Sequence, residues 1–276
     1  MVREFPHTGM PYCYRCAYDC TDGCRNCGKE HAAELERAIA ENKGQAAAFI
    51  FEPLSGATLG AVVPPPGYLQ SVAEICQRHS ILLIADEVMT GMGRTGKNFA
   101  VDHWGVKPDI LVTAKGLSSG YAPLGAVIAS GKVVDAIAAG SGAFLHGFTY
   151  NAHPVSLAAG RAVLRRLQSH KLVEAADSNA ANTPAAYFKK RLEPLLDLPV
   201  VGDVRGLGLL WAVEFVADKQ SKRPFSPEQN VAGSIGSAAL KRGLLVYPMQ
   251  GSVDGTSGDH LLLAPPAVIT REQIDW

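Results

Sequence analysis

The stretch that decides the fold is ILLIADEVMTGMGRTGK, Ile81 through Lys97. Its first five residues form a continuous apolar run that stops at Asp86 and Glu87. A short run bounded by charge reads as a strand buried on both faces, and such strands belong to parallel sheets. Similar runs lie on either side, at residues 46–51 (AAAFIF), 109–113 (DILVT) and 124–129 (LGAVIA). Amphipathic stretches separate them. After the break at Pro64-Pro65-Pro66-Gly67, the residues Leu69, Val72, Ala73 and Cys76 share one helical face, and Pro154 opens a helix to about His170. The alternation predicts an α/β domain, a mostly parallel sheet with crossover helices.

Beyond that helix the pattern changes. Residues 172–196 read as a further helix interrupted at Asn182-Thr183-Pro184. Residues 200–204, 209–215, 244–247 and 260–263 read as short strands around a helix near 228–241. This predicts a smaller α+β C-terminal domain over 172–276, following a larger domain over 1–171 whose first 45 residues are a cysteine-rich lead-in. The chain has 276 residues, 47% hydrophobic and 19% charged, which excludes a disordered or coiled-coil protein. Lys plus Arg and Asp plus Glu are 26 each, so no bulk charge recruits nucleic acid or an anionic membrane. No apolar run approaches the roughly 20 residues of a membrane span. The opening MVREFPHTGMPYCYRC lacks the apolar core of a signal peptide. The expectation is a cytoplasmic enzyme with no nucleic-acid or membrane partner.

Gly91-Met92-Gly93-Arg94-Thr95-Gly96 matches a dinucleotide-binding pattern, and with Lys97 it matches the start of a phosphate loop. Both motifs require a strand that turns directly into a helix whose N-terminus meets phosphate. These glycines begin five residues after the apolar run has ended, and the following Asn98–Trp104 shows no helical face. Nucleotide binding is therefore not expected. Five of the six cysteines, Cys13, Cys16, Cys20, Cys24 and Cys27, crowd into fifteen residues, while Cys76 stands in a helical pattern as a small core residue. The two C-x2-C pairs have the look of a zinc site. Their intervening loop is only seven residues and Cys20 is left over, so the sequence reading favours a reduced, partly buried loop with no metal.

Three strands of the first domain deliver a charged residue at or just past their ends: Glu52, Asp86 and, after one alanine, Lys115. Each alone is an ordinary solvated strand end. Together they matter, because the carboxyl ends of parallel strands share one edge and ligands bind in the crevice there. A strand-end Asp and a strand-end Lys 29 residues later suit a pyridoxal phosphate site. Lysine amine condenses with the cofactor aldehyde, and a carboxylate keeps the pyridine nitrogen protonated so that the ring accepts electrons. The displaced lysine can then carry a proton between carbons.

Residues 84–96 (IADEVMTGMGRTG) resemble the aspartate segment of class III aminotransferases, and residues 107–117 (KPDILVTAKGL), continuing to Gly120-Tyr121-Ala122-Pro123-Leu124-Gly125-Ala126, resemble their lysine segment. Residues 146–154 (HGFTYNAHP) resemble a third signature, and Phe51-Glu52-Pro53 a glutamate–proline strand end. The resemblance covers essentially the whole chain. It implies a fold-type-I, pyridoxal 5'-phosphate-dependent homodimer that acts on amine and keto acid substrates. By position, Lys115 resembles the Schiff-base lysine, Asp86 the partner of the pyridine nitrogen, and Val88 the apolar residue against one ring face. Thr149 is similar to the threonine that reaches the neighbouring subunit's cofactor phosphate, and Glu52 resembles an acid lining the site.

The departures also carry information. Members of the family have a long further stretch before the equivalent of Met1, including a glycine/serine turn for the phosphate and an aromatic that stacks on the ring. Residues 1–45 supply neither. The resemblance therefore implies that the chain lacks the family's N-terminal part and, ending at Ile274-Asp275-Trp276, its extreme C-terminus. Met89 replaces a common glutamine. Leu262 stands where amino-acid-specific members place an arginine for the substrate carboxylate, which leaves ω-amine or amino-alcohol donors open. The rivals are an aminomutase or decarboxylase of the same fold, or a non-catalytic chain that keeps it.

Overall fold

A computed structural model gives the fold and describes residues 5–18, 24, 26–42 and 45–276, so Cys20 lies outside the described residues. The chain forms two compact units. One comprises Met1–Pro53, Pro64–Met92 and Val101–Arg166, and the other Leu54–Val63, Gly93–Ala100 and Leu167–Trp276.

The first unit is built on helix α1 (Cys27–Glu41), β1 (Ala48–Phe51), α2 (Tyr68–Arg78), β2 (Leu82–Asp86), β3 (Ile110–Thr113), β4 (Ala126–Ala129), α3 (Gly131–Ala139) and most of α4 (Pro154–Ser169). Its sheet has the order β1-β2-β3-β4. The first three strands are parallel and β4 is antiparallel to β3, which makes this the mostly parallel α/β sheet expected. Asp109 precedes β3 and accepts the Leu83 amide at 2.9 Å, fixing the start of one strand on its neighbour. Helix α1 was not legible as a helix in the lead-in. It buries Cys27, His31, Ala32, Leu35 and Ile39 at three- and four-residue spacing, and α2 buries Leu69, Val72, Ile75 and Cys76 in the same way. A Cβ on Gly28 would meet the Pro66 carbonyl at 2.1 Å, so the first turn of α1 is seated directly on the proline break.

The second unit contains α5 (Leu172–Ala175), α6 (Pro184–Leu192), β5 (Val201–Leu207), β6 (Leu210–Phe215), α7 (Val231–Lys241), β7 (Tyr247–Gln250), β8 (Asp259–Leu263) and α8 (Arg271–Asp275). Its sheet runs β5-β6-β8-β7, antiparallel throughout. Every residue of β6 is buried, and Val201, Val213, Phe215 and Leu261 form a core. The helix expected over 172–196 is two helices. Pro184 starts α6 with the Thr183 hydroxyl accepting the Ala186 amide at 3.0 Å, and Pro194 lies in a final 3-10 turn over Glu193–Asp197. The strand expected over 244–247 begins only at Tyr247, because pairing with β8 runs from Tyr247↔Leu262 to Gln250↔Asp259.

Residues 93–100 explain their glycines. Gly93 and Gly96 have φ of +84° and +90°, which only glycine adopts at little cost. A Cβ on Gly96 would lie 2.5 Å from the Asp177 backbone, and Arg94 donates to the carbonyls of Leu209 and Pro265 at 3.2 and 2.5 Å. These glycines serve backbone packing, and no helix follows them that could meet a phosphate.

Charge is buried in the second unit too. Arg205 pairs with Glu214 at 2.7 Å and Asp203 at 3.0 Å, and donates to the Leu59 and Gly60 carbonyls at 2.6 and 2.7 Å. Beside them His260 is fully buried and its Nε2 donates to the Ala57 carbonyl at 2.8 Å, leaving Nδ1 with no hydrogen-bond partner. Burial, reinforced by the nearby Arg205 charge, pushes the imidazole below its ordinary 6.5, while the Ala57 carbonyl, Glu214 and Asp259 oppose this. A depressed histidine gives stability that is present above 6.5 and lost as pH falls towards the folded value, because the unfolded chain takes up the proton first. Lowering pH from 7 to 5.5 should therefore reduce the urea midpoint of the wild type more than that of His260→Gln. The difference should grow by at most about 1.4 kcal/mol per pH unit, the limit for one proton. Parallel pH dependence in the two proteins would remove His260 from the effect.

Candidate active site

Parallel pairing sets the geometry of the candidate site. Phe51 lies beside Ala85, and Asp86 beside Val112. Neighbouring strands are about 4.8 Å apart, so Glu52, Asp86 and the residues following Thr113 leave the sheet along one edge. The structure thus brings Glu52, Asp86 and Lys115 to a common edge. Asp86 is half-buried, Lys115 and Glu52 are exposed.

Strand alternation divides Asp86 from Glu87. One Asp86 oxygen accepts the Val88 amide at 3.0 Å, and the other has no hydrogen-bond partner among the described residues. Glu87 is completely buried: its amide donates to Val112 at 2.8 Å, and its carboxylate accepts the Thr90 hydroxyl and the Val101 amide, the latter at 2.8 Å. The second acid is therefore a splint that closes the loop after β2. Sequence reasoning singles out Asp86 and passes over Glu87. Period-two alternation was the available signal, since adjacent strand residues must point to opposite faces.

Lys115 opens a 3-10 turn, Lys115–Leu117, with φ of +36°. That is an unfavourable conformation for a residue with a Cβ, and strain of this kind concentrates at functional sites. The turn is held by Leu117 N to Ala114 O at 2.8 Å and by the Ser118 hydroxyl to Ala122 O at 2.5 Å. A Cβ on Gly116 would lie 3.1 Å from the Met92 side chain, so the residue after the lysine has little room to grow. Among the described residues the Lys115 amine has no hydrogen-bond or ion-pair partner. Two residues earlier, the Thr113 hydroxyl is buried and likewise unpartnered. Thr113 lines an apolar cleft of about 1270 Å³ along β3, β4 and α3.

A carboxylate oxygen and an amine, both unengaged on one sheet edge, fit the ring-nitrogen and aldehyde ends of pyridoxal phosphate. Val88 is half-buried immediately after Asp86. Thr149 is elsewhere, exposed in a turn between Phe148 and Ala152, and no hydrogen bond joins it to Asp86 or Lys115.

The family model for class-III aminotransferases matches residues 1–276. The chain belongs to that family, whose members depend on pyridoxal phosphate. It is 39% identical over 277 residues to the Bacillus subtilis aminotransferase YodT, covering 100% of this chain and 61% of YodT. Among solved structures it resembles an (S)-enantioselective omega-transaminase of Thermomicrobium roseum, with a TM-score of 0.87 and 38% identity over 100% of this chain and 58% of that one. It also resembles the omega transaminase of Pseudomonas jessenii in complex with PMP, with a TM-score of 0.88 and 33% identity, again over 100% and 58%. The chain thus spans about three fifths of the length of these relatives.

The two acids should separate in mutagenesis. Glu87→Ala strands the buried Val101 amide and should cost about 2–4 kcal/mol in urea denaturation. Asp86→Ala loses only a local bond to Val88 and should cost about 1 kcal/mol or less. Equal losses would contradict the division of roles.

Proposed function

We propose that the chain carries the central machinery of a pyridoxal phosphate-dependent transamination between a primary amine or amino-acid donor and a keto acid. The observation that carries this reading is the pairing of a half-open Asp86 carboxylate with an unpartnered, strained Lys115 on one edge of a parallel sheet. The cofactor, when bound, supplies a protonated ring that accepts the electron pair left at the substrate carbon. Asp86 would keep the ring nitrogen protonated, and the Val88 amide holds that carboxylate in place. Lys115 would anchor the aldehyde carbon through Nζ and, once displaced by the substrate amine, move a proton between substrate and cofactor carbons. An amine that does this must be neutral for part of the cycle, and the 3-10 turn fixes the backbone from which it projects. Val88 would pack on one ring face, Glu52 would line the site, and Thr149 would contact the phosphate of a second subunit in a cytoplasmic homodimer. The same reading treats residues 1–171 as the cofactor-binding part and 172–276 as the smaller one.

By the resemblance alone, Leu262 stands where amino-acid-specific members place an arginine, which favours donors that lack an α-carboxylate. It is 4% exposed in β8, between Ala212 and Tyr247 on the neighbouring strands, and offers no cation.

Incubation with pyridoxal phosphate followed by borohydride should attach the cofactor to Lys115, as read by peptide mass spectrometry. Labelling undiminished in Lys115→Ala would refute the assignment. Asp86→Ala should still be labelled at Lys115, yet any transamination measured in an amine-donor screen should fall by about 100-fold or more, since the ring loses its electrostatic partner. Unchanged turnover would take Asp86 out of the mechanism.

A further inference from the structure

The described cysteines of the lead-in converge. The sulfur atoms of Cys13, Cys24 and Cys27 lie within 4.8 Å of one another, and so do those of Cys16 and Cys27 with a ring nitrogen of His31. Cys27 belongs to both groups. All four cysteines are thiols, with Cys24, Cys27 and His31 buried at 7%, 2% and 2% exposure.

Local backbone structure produces the convergence. Cys13 and Cys16 flank a 3-10 turn, closed by the Cys16 amide on the Cys13 carbonyl at 3.3 Å. The turn brings the backbone of Cys16 back to that of Cys13, so the two residues start from neighbouring points. Cys24 takes the left-handed conformation, with φ of +64°, and turns the chain towards Cys27. Cys27 is the first residue of α1, whose fifteen aligned peptide dipoles favour a thiolate at that end.

We infer that Cys13, Cys16, Cys24 and Cys27 form a four-thiolate site for a zinc-class divalent ion, with His31 as the group that holds Cys16 in place. Zinc–sulfur bonds of about 2.3 Å put tetrahedral sulfurs about 3.8 Å apart, so Cys13, Cys24 and Cys27 need to close by no more than about an ångström, and Cys16, already within 4.8 Å of Cys27, swings in to complete the set. Each thiol gives up its proton to solvent as it binds. His31 Nε2 lies 3.3 Å from the Cys16 sulfur, within donor range of a thiolate, while its Nδ1 is buried without a partner. Four protein ligands leave no open position, so the ion would be structural. It would fasten the 3-10 turn over Cys13–Arg15 to the first turn of α1. Buried thiols also occur as plain packing groups, but packing gives no reason for two thiol-rich clusters to meet at Cys27, one of them with an imidazole.

The full chain, purified under reductant from zinc-supplemented cells, should contain one zinc per chain by plasma mass spectrometry. Replacement by cobalt(II) should give thiolate charge-transfer absorption and the intense visible bands of a tetrahedral site. Cys13→Ser, Cys16→Ser, Cys24→Ser or Cys27→Ser should abolish those bands, and Cys76→Ser should leave them unchanged. His31→Gln should keep the bands and weaken metal affinity about 10–100-fold. Because a cysteine variant can fail to fold, the wild type gives an independent reading: stripping zinc with a chelator should lower its melting temperature, and zinc alone should restore it. Less than a tenth of an equivalent of zinc, with no cobalt bands in the reduced wild type, would overturn the site. Thiol titration that finds these cysteines in disulfides would do the same. Loss of the bands in His31→Gln would overturn the four-thiolate assignment.

Discussion

The arrangement depends on parallel pairing of three short strands. Once Phe51 is beside Ala85 and Asp86 beside Val112, the strands must end on the same side, and whatever follows them is gathered there. Antiparallel pairing would have sent Asp86 and Lys115 to opposite edges. Alternation then assigns two neighbouring acids to different tasks. Asp86 keeps an oxygen available, and Glu87 enters the interior to tie down the loop that follows.

Buried polar groups recur as splints. Glu87 binds the loop between β2 and the 3-10 turn over Ala100–Trp104, and Arg205 and His260 bind the carbonyls of residues 57–60. In each case a side chain on a strand, or directly after one, satisfies backbone groups of an irregular segment that cannot satisfy itself. Such contacts define one conformation for the segment, because every alternative leaves a buried donor or acceptor unmet. His260 is the exception in part, since the tautomer that satisfies Ala57 strands Nδ1.

Much of this was legible from residues alone. All four strands of the first sheet fall in largely apolar runs, and the charges after three of them single out the edge of the candidate site. What escaped has physical causes. Helix α1 lies among cysteines, charges and a histidine, where composition suggested a loop, and its apolar stripe is visible only once α2 is there to receive it. The run 244–247 is apolar, yet pairing with β8 governs where β7 starts. The cysteine cluster depends on one 3-10 turn and one positive φ, neither of which a ligand-spacing rule contains. The glycines at 93 and 96 are set apart from phosphate loops by the sequence, although their packing against Val173 and Asp177, about eighty residues away, could not be foreseen.

The division into units has a consequence for how such a protein can change over generations. The backbone passes from one unit to the other at 53/54, 63/64, 92/93, 100/101 and 166/167. Neither unit is a single stretch of coding sequence. A recombination event that transplanted only the C-terminal stretch would carry Arg205 and His260 away from the carbonyls at 57–60 that they serve, and Leu209 and Pro265 away from Arg94. The acceptor gene would then have to supply matching segments at two separate places. Inheritance of this architecture is therefore all or nothing, and variation must enter through point changes within the two units rather than by shuffling them as modules.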